Sequence, residues 1–195
     1  MVDKIRKQQI IGAICTLIVS SCLLSAPMAQ ADPFQRTASG WLNRTDVDVD
    51  GNGNTLSVLN TFGTGTFGKS ASNQVVELGG FTGDFCVFDP INDIFIIGLP
   101  ILARSSIIRF KSGDLLFSVM EPFDPTSINF LCFDFISRTG TAEIPMVITG
   151  GTGKFAGATG TLLVSQNSTT VLEEADLPVH IAITQVIEGD IVLIH

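Results

Sequence analysis

The chain has 195 residues, with 11 Lys and Arg against 19 Asp and Glu, giving a formal charge of −8. Only 15% of its residues are charged, against about 25% in ordinary soluble domains, so its elements must be covered on both faces or packed into an oligomer. The acidic balance disfavours nucleic acid and anionic membranes as partners, because both are polyanions.

Residues 1–31 read as an export signal. Lys4, Arg6 and Lys7 make a basic start, residues 10–24 are uncharged and mostly apolar, and Ala29-Gln30-Ala31 supplies small residues for cleavage after Ala31. The apolar run is short for a membrane span of about 20 residues. Val19-Ser20-Ser21-Cys22 has the small residues that precede a lipidated cysteine, but Leu23 and Leu24 carry the apolar run past it. The expectation is a secreted or periplasmic protein with one domain over residues 32–195 and no membrane attachment after cleavage. Cleavage removes three basic residues and one acidic residue, leaving 8 against 18.

The mature chain opens on a short polar lead, and "WLNRTDVDVD" (41–50) then alternates into a turn at "GNGN". Asp46, Asp48 and Asp50 fall at positions 1, 3 and 5 of a calcium-loop numbering, with Gly51 at 6, Asn52 at 7 and Asn54 at 9. Closely spaced oxygens suit a hard cation, but position 12 is Ser57, so the bidentate carboxylate is missing from the usual 6–8 ligands. The preferred reading is a strand of exposed aspartates entering an Asp-Gly turn. Calcium is kept as a minor alternative and no other cofactor is expected.

The β-prone stretches continue as "TLSVLNTFGTGTFGK" and "SASNQVVELGGFTGDFCVF". "ILARSSIIRF" and "LLFSVM" follow, separated by the hairpin signal "KSGD". "INFLCFDF", "AEIPMVIT", "GTLLVSQ" and "VHIAITQVIEGDIVLI" complete the series. "TTVLEEADLP" (169–178) is the best helical candidate, at one or two turns. Cys86 and Cys132 are the two cysteines left after cleavage, and an oxidising compartment predicts one disulfide between them. Metal ligation lacks partners, since there is no C-x-x-C and the only histidines are His180 and His195. About eight short strands with glycine-rich turns predict an all-β fold: a single antiparallel sandwich or barrel.

"MVITGGTGKFAGATG" (146–160) has the glycines of a dinucleotide-binding loop. That motif needs a helix after the glycines and an acid about 20 residues on. Here Thr- and Val-rich sequence with no helical period follows, so Gly150, Gly151, Gly153, Gly157 and Gly160 are read as structural turn residues and nucleotide binding is rejected.

The same segment resembles the strand–turn–strand signature of the allene oxide cyclase and dirigent proteins and their secreted bacterial relatives. The likeness lies in Gly-Gly-x-Gly ending a strand, Phe155 entering the core, and Gly157-Ala158-x-Gly160 opening the next strand. "GTGTFG" (63–68) and "RFKSGDLLFSV" carry it more loosely. The resemblance implies an eight-stranded antiparallel barrel with an apolar cavity, often in homotrimers.

Function transfers poorly, because no cyclase acid falls on a numbered residue here and a chain without tyrosine has no phenolic acid–base group. Fourteen Phe and one Trp supply the aromatics, which disfavours a sugar-binding role beyond Trp41. His180 is read as a strand residue facing solvent or satisfied by a neighbour, in preference to a general base. Glu77, Asp134 and Glu143 sit within apolar strands, where a carboxyl turned inward would have a raised pKa and could serve as a general acid. Arg109 and Glu143 are the candidate polar groups of the pocket. The preferred function is a non-catalytic barrel holding a small apolar molecule or serving a structural role. The alternative is a cofactor-free enzyme of the cyclase or dirigent type, which works by shape more than by reactive groups.

Overall fold

The structure is a computed structural model that describes residues 31–44, 54–80, 83, 85–89, 94–121, 129–174 and 177–194. The signal segment up to residue 30, and Asp46, Asp48, Asp50 and Asn52 of the aspartate loop, lie outside the described residues. Ten strands follow in chain order: β1 (Ala31–Arg44), β2 (Thr55–Gly65), β3 (Gly68–Leu78), β4 (Phe85–Asp89), β5 (Ile94–Phe110), β6 (Leu115–Met120), β7 (Phe130–Asp134), β8 (Thr139–Gly151), β9 (Thr159–Glu174) and β10 (Leu177–Val192). A single 3-10 turn, Gly153–Phe155, joins β8 to β9.

Eight strands close an antiparallel barrel in the order β1-β2-β3-β5-β6-β8-β9-β10, with β10 returning to β1. Closure leaves none of these eight with an open ladder, which removes the edge problem of a flat sheet. Two short strands stand outside this order: β4 lies on the first half of the long β5, and β7 lies between that half and the start of β8, with Cys132 opposite Thr141 and Asp134 opposite Thr139. β4 pairs with β5 from Phe85 opposite Ile97 to Asp89 opposite Ile94, and β7 from Phe130 opposite Pro100 to Asp134 opposite Ile96. A disulfide between Cys86 and Cys132 ties these two together, with the Cα atoms 5.7 Å apart.

Alternation sends every second side chain inward. On β10 the inward positions are Ile181, Ile183, Gln185 and Ile187, all buried. β1 begins ten residues before the alternating "WLNR", within what the sequence reads as a polar lead. Its inward residues include Phe34, Arg36 and Ala38, and an arginine beside a lone methyl breaks the apolar rhythm that marks a strand. The helical candidate at 169–178 is corrected too. Residues 169–174 end β9, and their pairing with β10 overrides the helix preference of Leu-Glu-Glu.

The interior is layered. At the end formed by the β2–β3 and β5–β6 hairpins, Phe34, Phe67, Phe110 and Phe155 pack ring to ring, with centroids 4.8–6.0 Å apart. Lys154 Nζ covers this cluster, 4.2 Å from the Phe67 centroid and 4.9 Å from that of Phe155. Above it lies the main apolar core, which includes Ile108, Leu116, Ile144, Met146 and Ile187. A second, smaller cluster of Leu42, Leu59, Ile181 and Ile183 fills the opposite end.

Candidate functional site

The glycine segment is structural in detail. Gly150, Gly153, Gly157 and Gly160 have φ of 131°, 58°, 72° and 140°, conformations that disfavour any residue with a Cβ. Gly151 is required for a different reason: a Cβ there would lie 2.2 Å from the Leu115 carbonyl oxygen. The segment grips the β5–β6 hairpin, with Thr152 N donating to Leu115 O at 2.8 Å and Leu115 N to Thr152 Oγ1 at 3.0 Å. After one 3-10 turn the chain enters β9, so no helix N-terminus exists there to receive a phosphate. Phe155 is fully buried in the aromatic end.

The open end is where β1, β3 and β9 finish and β2, β5 and β10 begin. A pocket of about 250 Å³ lies there. Leu42, Leu78, Leu99, Leu131, Phe133 and Ile181 form its apolar wall. Ser57 lines it as well, and its buried hydroxyl has no protein partner. Arg44, Thr55 and Gly80 stand among the remaining lining residues. The volume is small beside the roughly 300–1,000 Å³ of pockets for drug-sized ligands. A hydrocarbon wall with one free hydroxyl selects by shape and buried area, with the hydroxyl fixing orientation.

Beneath the pocket the interior becomes polar. Arg104 on β5 donates from Nε to Gln74 Oε1 at 3.0 Å, from Nη2 to the same oxygen, and from Nη1 to Gln166 Oε1 at 3.3 Å. Gln185 Nε2 donates to Gln166 Oε1 at 2.8 Å, and Gln74 Nε2 to Gln185 Oε1 at 3.1 Å. The net continues through Ser72 and Thr61 to Arg36, whose Nε donates to Ser70 Oγ at 2.7 Å and Nη2 to Thr61 Oγ1 at 3.1 Å. Burial lowers the Arg104 pKa to about 9 and that of Arg36 to about 10. Both therefore stay cationic at neutral pH.

The residues singled out from sequence fall elsewhere. Arg109 and Glu143 are exposed at outward positions, so they do not line the interior, and the inward residues on their strands are Arg104, Ile108, Ile144 and Met146. Their strands carry apolar residues at both parities, and the reading took the wrong phase. Glu77 faces outward and accepts from Asn54 Nδ2 at 3.0 Å, which places the one described member of the aspartate loop against a strand carboxylate. Asp134 closes the β7–β8 turn. The Ser137 hydroxyl and the Ile136 amide hold its carboxyl below the usual range. His180 lies on the outer wall, stacked on Trp41 at 4.7 Å, with Nδ1 2.7 Å from Asn43 Oδ1. Among the described residues no group of His, Cys, Asp and Glu is placed to hold a metal ion.

Arg36, Arg104 and the three glutamines are the polar interior that sequence reasoning missed. The signal that finds them is parity: Arg104, Ser106, Ile108 and Phe110 share a face, as do Ser72, Gln74 and Val76.

The fold and the pocket define a closed antiparallel β-barrel with an apolar mouth, an apolar core and one buried polar layer. No known protein family, curated protein or solved structure matches the chain. Among the described residues no helix is long and apolar enough to cross a membrane.

Proposed function

We propose that this is an exported barrel protein that holds a small hydrophobic molecule in its open end, without catalysing a reaction on it. The pocket at the open end carries this reading, because its half-buried Leu78, Ile97 and Leu99 and its exposed Phe135 meet solvent at a concave site and gain by covering themselves with a ligand. The disulfide supports export, since such bonds persist in oxidising compartments. Kinship with the allene oxide cyclase and dirigent barrels is part of the proposal, supported by the turn around Phe155. Assembly into a homo-oligomer, a trimer in that kinship, is supported by Val58, Val75, Ile107 and Val119, which stand exposed on neighbouring strands of the outer wall.

A cyclisation-guiding enzyme is the second reading, favoured by Arg104 as an ionisable group beneath the pocket. Binding is preferred because none of the buried polar side chains described is a carboxylic acid, which leaves proton transfer without an acid–base pair.

Native mass spectrometry of protein purified from its own host, with titration of a small environment-sensitive apolar dye, tests the proposal. The expected result is a retained apolar molecule, together with dye affinity that falls at least tenfold in Ile97→Trp, which crowds the mouth. An empty protein that binds no dye would instead leave a structural role.

A further inference from the structure

The barrel interior holds two guanidinium groups and no described carboxylate. Arg36 and Arg104 are 1% and 4% exposed, and every other buried polar side chain described is a Ser, Thr or Gln. Hydrogen bonds to neutral oxygens solvate a guanidinium without cancelling its charge, and a buried charge without a counter-charge is strongly unfavourable. Deprotonation does not remove the problem at neutral pH, since both groups titrate well above it.

Donors are also left over. A guanidinium has five N–H groups, and an amide oxygen has two lone pairs. Gln74 Oε1 is filled by two bonds from Arg104, and Gln166 Oε1 by one from Arg104 and one from Gln185. Those bonds occupy three of the five Arg104 hydrogens, while Arg36 Nη1 is buried with no partner at all. Gln74 and Gln166, the two glutamines bonded to Arg104, have no further acceptor capacity to give it.

Beside Arg104 and Gln166 lies a void of about 10 Å³, close to the smallest space that holds one water-sized occupant. Leu42, Leu78 and Leu131 line both this void and the open-end pocket, so the two share a wall.

We infer that this void is an anion site, taking one small monoanion: a halide, or the carboxylate of an apolar molecule seated in the pocket above. Its size excludes a bulky oxyanion; a halide or carboxylate, larger than water, enters by pushing back the Leu42, Leu78 and Leu131 side chains, and the walls then offer it the guanidinium and a glutamine amide. The charge is felt at Arg36 as well, through the chain Gln74–Ser72–Thr61. The halide arm stands on the interior alone, whereas the carboxylate arm rests on the proposed ligand pocket.

Thermal unfolding of the purified protein at one ionic strength separates the two. Gluconate serves as the reference salt, being too large and hydroxylated to pass the leucines; sulfate is avoided because it stabilises by exclusion. Bromide, octanoate and neutral octanol are then compared with it. Bromide and octanoate are each expected to raise the midpoint by about 3–6 °C, and octanol by less than half of that. Arg104→Met should abolish the effect of bromide and the excess of octanoate over octanol. Should that variant not fold, anomalous scattering from bromide-soaked wild-type crystals gives the same answer, with a peak expected beside the Arg104 nitrogens. If octanol and octanoate stabilise equally, bromide does nothing and the void holds only water, the anion site is refuted while the apolar pocket stands. If bromide alone stabilises, the anion site stands and the pocket reading falls.

Discussion

Replacing Arg104 by methionine in a salt without small anions should make the fold more stable. Burial lowers the Arg104 pKa well below its ordinary value, to about 9, and so disfavours the protonated folded state by about 5 kcal/mol, at 1.36 kcal/mol per unit. The folded pKa is below the unfolded one, so from about pH 9 up to the ordinary arginine value the unfolded chain binds more protons. Stability therefore rises with pH through that window, and the full penalty is present below it. Methionine keeps much of the stem's length and removes the charge. Against this, Gln74 Oε1 loses both its Arg104 donors, which costs about 1–3 kcal/mol. The net expectation at pH 7 in gluconate is a gain of about 2–4 kcal/mol. Urea unfolding followed by the single tryptophan, Trp41, reads this directly, and no tyrosine titrates in the alkaline range. From pH 8 to 10.5 the parent should gain about 2 kcal/mol more than the variant, a difference in which the lysines cancel. A variant less stable than the parent at pH 7, with parallel pH profiles for the two, would refute the reasoning.

Gly151→Ala should destabilise the fold by more than about 3 kcal/mol, because the new methyl meets backbone at Leu115 rather than a movable side chain; the urea midpoint measures it. Lys154→Ala removes an ammonium from the faces of Phe67 and Phe155 and should cost only about 0.5–1 kcal/mol in the same assay.

The strand content and the disulfide were legible because they depend on local chemistry: β-branched runs, glycine turns and an even cysteine count. The phase of each strand was harder. "SIIRF" has an isoleucine on either parity, but Phe110 sides with Ile108 against Arg109, and the ladder to β3 and β6 fixes that face as the inward one. "EIPMVIT" was decidable, since Ile144, Met146 and Ile148 outweigh Glu143, Pro145 and Val147 on size and apolarity. β1 was not, because its interior positions contain Arg36. A buried arginine is read from sequence as a surface residue, and only the facing Ser70 and Thr61, from strands 20 or more residues away, make it an interior one. The polar layer was legible only as a shared parity for that reason: each member is unremarkable alone and acquires meaning from its partners across the barrel.

The disulfide gives the last prediction, and it distinguishes the two ends of the molecule. Two strands flanking a common third would lie about 9.6 Å apart in a flat sheet, twice the usual spacing, yet the Cys86 and Cys132 Cα atoms are 5.7 Å apart. β4 and β7 therefore curl toward each other across the first half of β5. β7 supplies Leu131 and Phe133 to the pocket, and β5 supplies Ile97 and Leu99. In the chain-entropy account, opening a loop with a separation of 46 residues frees the unfolded chain and costs about 4 kcal/mol. That cost is global, so it would accelerate exchange equally for all amides that exchange only by complete unfolding. A bond that holds the pocket in shape would do more at one end. In Cys86→Ser/Cys132→Ser, amide exchange at residues 96–99 and 130–134 should accelerate at least tenfold beyond the acceleration at 162–166 and 183–187, and affinity for an apolar dye should fall with it. Uniform acceleration with dye affinity unchanged would show that the bond acts through the unfolded chain alone and that the eight-stranded ring shapes the pocket without it.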